Sequence, residues 1–215
     1  MCGIVGADLT NPTEHDLEIL KNVFLETEIR GKHASGFAWF TDKINIVKKP
    51  IPISEHIKEI DFSDMVYNNK LKLIGHIRYS TSDIEYNQPI GDETSAIVHN
   101  GIISQEDPSV WNNKYGYSCN TKNDSELLLH AIRNGDDYFK KFNDPSISAL
   151  YMDSTGTIKN IRNGLRPQWI ATINSGILYA STFDILQRAG VPVDCIFKVD
   201  PQDNSIDKQN RTTKH

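Results

Sequence analysis

The sequence predicts an α+β domain built in layers, not a doubly wound sheet. Three observations carry that expectation. Strand-like runs come in hairpin pairs, helical periodicity is confined to separate stretches that do not alternate strictly with strands, and no repeat, low-complexity tract or linker interrupts the chain before Asp200. With 215 residues there is room for one domain with a fair core. The expected boundaries are residues 2–200, followed by a polar tail over 201–215.

Residues 3–9 read as a first buried strand, broken by Thr10-Asn11-Pro12. Thr13 followed by Asp16 predicts a helix N-cap with an acid in the first turn. Leu17, Leu20, Val23 and Phe24 recur at helical spacing and carry that helix to about Glu28. Residues 30–36, with two glycines, are read as a loop, and runs at 37–40 and 44–47 flank Thr41-Asp42-Lys43 as in a hairpin. Periodicity weakens over 48–69, where a piece at 56–60 is amphipathic. Apolar strands at 71–76 and 95–98 each run into a polar cluster, Gly75-His76-Ile77-Arg78-Tyr79-Ser80-Thr81 and His99-Asn100-Gly101. Strand ends are where a scaffold displays working groups. Asn123 is expected to cap a helix with Glu126 at the reciprocal position, and Asn134-Gly135 to stop it. Hairpins follow at 146–153 with 157–161 and at 169–171 with 177–180. Thr182 then caps a short helix ending near Gly190, and 194–199 reads as a last strand.

Composition excludes several classes of function. A formal net charge of -5 argues against a surface that tracks nucleic-acid phosphates. No apolar run approaches the roughly 20 residues that a membrane helix requires, and no basic segment with an apolar stretch opens the chain, so neither a membrane partner nor a leader is expected. Cys2, Cys119 and Cys195 form no even framework and no CxxC pattern, which points to a reducing, cytoplasmic setting. Seven scattered histidines show no zinc-like spacing, so no metal is expected.

The opening Met1-Cys2-Gly3-Ile4-Val5-Gly6 holds the strongest chemical signal. Removal of Met1, favoured by the small side chain that follows, leaves Cys2 with both a thiol and a free α-amine. The unperturbed amine has a pKa of about 7.7–8.0 and the thiol about 8.5, so the amine can accept the thiol proton near neutrality. The alternative is that Cys2 is a small apolar residue near a terminus.

These segments resemble the class II glutamine amidotransferase domains, which belong to the N-terminal nucleophile hydrolases. The opening six residues are similar to that family's start. Gly75-His76-Ile77-Arg78-Tyr79-Ser80-Thr81 resembles the glutamine-site segment of its amidophosphoribosyltransferase branch. His99-Asn100-Gly101 looks like its oxyanion segment, and Asn120-Thr121-Lys122-Asn123-Asp124-Ser125-Glu126 like the acidic helix start that follows. The fold the resemblance implies is a four-layer αββα sandwich, two antiparallel sheets between layers of helices (Ntn-hydrolase-like).

The implied reaction is hydrolysis of the L-glutamine side-chain amide to glutamate and ammonia, without a cofactor. Cys2 would be the nucleophile, with the Asn100 amide and the Gly101 N–H as oxyanion donors. Arg78, Tyr79, Thr81, His99 and Asp124 would bind substrate, with Arg78 on the α-carboxylate and Asp124 on the ammonium. Read alone, Asn100-Gly101 also fits a tight turn and Asp124 a helix-dipole acid. Arg30-Gly31-Lys32-His33 resembles the family's loop beside the nucleophile, except that His33 stands where better-known branches carry Asp. It is read as a surface or hydrogen-bonding group, with proton shuttling the alternative. Most relatives fuse this domain to a synthase, and no Walker-type run is present here. The expectation is therefore a stand-alone glutaminase that passes ammonia to a separate synthase, with residues 81–88 as a lid. An amidase for another γ-glutamyl amide and a non-catalytic glutamine-binding subunit remain alternatives.

Overall fold

The computed structural model describes residues 1–79 and 86–202. Eleven strands fall into two antiparallel sheets among those residues. The larger sheet contains β1 (Gly3–Thr10), β2 (Ala34–Phe40), β3 (Ile44–Lys49), β4 (Lys70–Arg78), β9 (Trp169–Ile173), β10 (Gly176–Ala180) and β11 (Ile196–Lys198), in the order β11-β9-β10-β1-β4-β2-β3. The smaller contains β5 (Ile90–Gly91), β6 (Ala96–His99), β7 (Ser148–Met152) and β8 (Ile158–Arg162), in that order.

Side-chain alternation along the strands builds three apolar layers. In β1, Val5, Ala7 and Leu9 face one way, with Leu71, Leu73 and Ile77 of β4, and are covered by Leu20, Val23 and Phe24 of α1 (Glu14–Thr27) and by Ile185 and Leu186 of α6 (Phe183–Arg188). Ile4 and Ile74 face the other way and meet Val98, Leu150 and Met152 of the second sheet. Ile97, Ala149 and Tyr151 point outward from that sheet onto Leu127, Leu128 and Leu129 of α4 (Ser125–Arg133). Helices, sheet, sheet and helices make the four layers, and the fold class is α+β as expected.

Several details differ from the sequence reading. Strand β2 begins at Ala34, inside the stretch read as a loop, because Ala34, Ser35 and Gly36 pair with Arg78, Ile77 and His76. Gly36 signalled a breaker, yet its missing side chain serves a close approach: a Cβ there would lie 2.4 Å from the Gln88 carbonyl oxygen. The weak stretch at 48–69 contains α2 (Ile53–His56) and two 3-10 turns, too short to show a period. Two further short helices went unread, α3 (Trp111–Tyr115) and α5 (Tyr138–Lys141). Thr13 does cap α1 in a reciprocal box with Asp16. At α4 the Asn123 side chain accepts from the Ser125 N–H, but Glu126 does not reach back to Asn123. Its carboxylate instead takes the Asn120 and Thr121 N–H groups, which no strand partners. Thr182 sits at the N-cap of α6 without a side-chain cap bond. The last strand is shorter than read, because residues Val193–Cys195 form a 3-10 turn before β11. Gln202, assigned to the tail, donates its backbone N–H to the Arg162 carbonyl at 2.8 Å, and the tail beyond it lies outside the described residues. Among the described residues, no helix is long and apolar enough to cross a membrane.

Candidate active site

Both sheets end at one cavity of about 590 Å³. Cys2, Arg78, Tyr79, His99, Asn100, Gly101 and Asp124 all line it. Gly3 pairs with Ile77 in the large sheet, so the start of β1 carries Cys2 beside the end of β4, which carries Arg78 and Tyr79. The end of β6 delivers His99, Asn100 and Gly101 from the small sheet, and the start of α4 delivers Asp124. Thr81 lies outside the described residues, as does most of the stretch read as a lid.

The Cys2 thiol is 3.8 Å from the Tyr79 carbonyl oxygen, a long contact, and its own carbonyl accepts from Arg30 Nε at 2.8 Å. Burial draws the Arg30 guanidinium below its usual range; the nearby Cys2 and Asp184 oppose that and Arg166 adds to it. Arg30, Gly31 and His33 stand behind the cavity wall. A Cβ on Gly31 would lie 2.3 Å from the Arg78 carbonyl carbon, and the His33 N–H donates to the Arg78 carbonyl at 3.1 Å. The exposed His33 ring meets the Tyr79 ring edge-on at 5.5 Å. This loop therefore braces the strand end that presents Arg78.

Arg78 Nη1 donates to the Tyr86 carbonyl at 2.7 Å. The Asp124 carboxylate accepts the Ile103 N–H at 2.6 Å and the Ser104 N–H at 3.3 Å, which ties the start of α4 to the segment after Gly101. Asn100 is 4% exposed, and its Nδ2 has no hydrogen-bond partner. A buried donor without a partner costs about 1–3 kcal/mol, so a group left this way beside a cavity is poised for an acceptor that arrives there. Gly101 has φ +158, and a Cβ on it would fall 1.8 Å from the Ser146 carbonyl oxygen, so the turn admits only glycine without rearrangement.

His99 faces protein on both ring nitrogens. Nε2 is 3.0 Å from the Ser146 carbonyl, which makes it the N–H donor, and Nδ1 is 2.9 Å from Ser125 Oγ. Gln88 completes the arrangement, taking the His99 N–H and donating to the His99 carbonyl and Ser125 Oγ. Burial pushes the His99 imidazole below its usual pKa. These contacts tie the strand end that carries Asn100 and Gly101 to Ser125 and Ser146. His76, on β4, is fully buried and lowered to about 3, by burial first and then by the charges of Arg78 and His99. The unfolded chain takes up a proton near pH 6.5 that the folded chain refuses, so stability is fully present above that pH and falls as pH drops toward 3. The expected slope is up to about 1.4 kcal/mol per pH unit from His76 alone. Urea midpoints at pH 7 and pH 5 should show it, and His76→Asn should flatten the loss without abolishing it, since His99 contributes in the same direction.

Sequence reasoning missed Arg166, Lys122 and Glu106, which also line the cavity. Arg166 Nη1 lies 3.9 Å from Met1 Sδ. It arrives from the β8–β9 connection, and no motif in that stretch marks it. Met1 itself is 66% exposed at the cavity edge.

No protein-family model and no curated protein matches the sequence. Solved structures do match. One is the glutamine phosphoribosylpyrophosphate amidotransferase from B. subtilis complexed with ADP and GMP, at 22% identity and a TM-score of 0.70, covering 93% of this chain and 46% of that one. Another is described as the allosteric regulatory enzyme of purine biosynthesis, at 21% identity and a TM-score of 0.71, covering 93% of this chain and 45% of that one. The chain thus spans less than half the length of each, and it shares with both the fold of that half, an α+β sandwich of two antiparallel sheets between helices.

Proposed function

We propose that the chain is a class II glutamine amidotransferase domain that hydrolyses the side-chain amide of L-glutamine and passes the ammonia to a separate synthase. The observation that carries the reading is the convergence of Cys2 with the unpartnered Asn100 amide on one cavity that Arg78 and Asp124 also line. The glutamine amidotransferase fold of the matched structures supports it. In the mature form, with Met1 removed, the Cys2 amine takes the thiol proton, directly or through a water, as sulfur attacks the amide carbon. Asn100 Nδ2 and the Gly101 N–H receive the negative oxygen. The proton goes to the leaving ammonia, and water then hydrolyses the γ-glutamyl thioester to glutamate.

Substrate recognition would divide between the two charged ends of the amino acid. The Arg78 guanidinium suits the α-carboxylate and the Asp124 carboxylate the ammonium. Arg78→Ala and Asp124→Ala should each raise KM for glutamine by at least about tenfold with a smaller change in kcat, as expected for binding shared by ground and transition states. Steady-state ammonia release over a glutamine series tests this. Release from a different γ-glutamyl amide but not from glutamine would replace the substrate assignment, and glutamine binding without turnover would remove the enzymatic one.

A further inference from the structure

Away from the cavity, the fold brings together three donors that sequence spacing did not connect. Cys119 lies in the segment before α4, while Glu126 and His130 are one turn apart on that helix. Cys119 Sγ and one ligand atom from each of the other two lie within 4.8 Å of one another. We propose that Cys119, Glu126 and His130 form a binding site for a zinc-like divalent transition metal.

The geometry fits. Zinc–ligand bond lengths of about 2.0–2.3 Å at tetrahedral angles put neighbouring donors about 3.3–3.6 Å apart. Glu126 Oε1 and His130 Nε2 are 3.7 Å apart, too far for a hydrogen bond and close to that edge. Nε2 is buried without a hydrogen-bond partner. Glu126 is 5% exposed, and its Oε1 accepts one hydrogen bond, from the Asn120 N–H at 2.8 Å, which leaves a lone pair on the atom that faces His130. Oε2 is occupied by the Thr121 N–H and hydroxyl at 2.7 Å each, so the carboxylate is oriented by its surroundings as metal-bound carboxylates are. Lys48, which feels the Glu126 charge, donates its Nζ to the Asn87 carbonyl at 3.1 Å. Burial and the Glu126 charge push the Cys119 thiol up to about 12. A divalent ion reverses that penalty: the thiol releases its proton to solvent as the sulfur–metal bond forms. A sulfur, nitrogen and oxygen donor set favours zinc or cobalt over magnesium or calcium, and three protein ligands leave a fourth position for water. Bound metal would fasten Cys119 to α4 and so stiffen the segment that carries Asn123 and Asp124 to the cavity.

The test uses the full chain, chelator-stripped, in the Cys2→Ala background, because an N-terminal cysteine is itself a chelator. Titration with cobalt(II) should give a thiolate-to-cobalt charge-transfer absorption that saturates at one equivalent and disappears when zinc is added. Cys119→Ser and His130→Ala should each weaken binding more than about tenfold. A measurement that needs no further variant is alkylation read by peptide mass spectrometry, in which saturating zinc should protect Cys119 and leave Cys195 reactive. No charge-transfer band, a band retained at full affinity in Cys119→Ser, or alkylation of Cys119 unchanged by zinc would overturn the site.

Discussion

Cys2→Ala should lose glutamine hydrolysis by about 10⁴-fold or more in kcat while its melting temperature stays near that of the parent. The two halves of that expectation have separate origins. In the proposed reaction the thiol is the atom that bonds to substrate carbon, and among the described residues lining the cavity there is no second thiol to replace it. Its structural ties are slight, since Cys2 is half-buried and its sulfur makes one long contact, to the Tyr79 carbonyl. Blocking the amine should be as damaging as removing the sulfur, because an acylated nitrogen is no base. A protein forced to keep a residue ahead of Cys2 is therefore expected to be inactive although its thiol is intact. Ammonia release, paired with intact mass before and after a glutamine-like electrophile, measures both: one adduct on Cys2 is expected, and ammonia release surviving in Cys2→Ala ends the thioester scheme.

Asn100→Ala should slow kcat by about 10²–10³-fold, equivalent to about 2.7–4 kcal/mol in the barrier, with KM for glutamine little changed. In the proposed reaction the donor acts on an oxygen whose negative charge develops toward the transition state, which is why the effect is expected on turnover. Stability is expected to move the other way or not at all. Asn100 Nδ2 is buried without a partner in the resting fold, and removing an unsatisfied donor relieves about 1–3 kcal/mol, which offsets the packing that the side chain provides. A melting temperature at or above that of the parent, together with the kcat loss, separates a group held in reserve for the reaction from one that supports the fold. A large fall in melting temperature with KM and kcat changing together would assign Asn100 to the turn instead.

What was legible in the sequence follows the range over which each signal acts. Thr13 with Asp16, the run from Leu17 to Phe24 and the hairpin around Thr41-Asp42-Lys43 are local patterns, and the chain forms them. Glu126 was misassigned because a capping box and a carboxylate holding the preceding loop look alike in sequence; the N–H groups of Asn120 and Thr121, which donate to its carboxylate, decide between them. α3 spans five residues and α5 four, less than two turns, so no period could reveal them. In the candidate site, Arg78, Asn100, Gly101 and Asp124 were marked by motifs at strand and helix ends. Arg166 reaches the cavity from a connection some 160 residues after Cys2, and the Gln88–Ser125–His99 hydrogen bonds join three separate segments. Contacts of that kind arise from the packing of the sheets, which no local spacing encodes.

The proposed nucleophile and oxyanion donor come from opposite sheets, Cys2 just before β1 and Asn100 just after β6, and the distance between them is governed by what fills the layer between. That layer is tight at Gly6, where a Cβ would lie 2.7 Å from Leu150 Cδ1, with Ile4, Ile74 and Val98 close by. On the proposed mechanism, the thickness of this interior is thus a dimension of the reaction as well as of the fold. One added methyl group at Gly6 would have to displace the tip of the Leu150 side chain and press on the Tyr179 ring, a strain placed inside the layer that leaves every side chain at the cavity chemically intact.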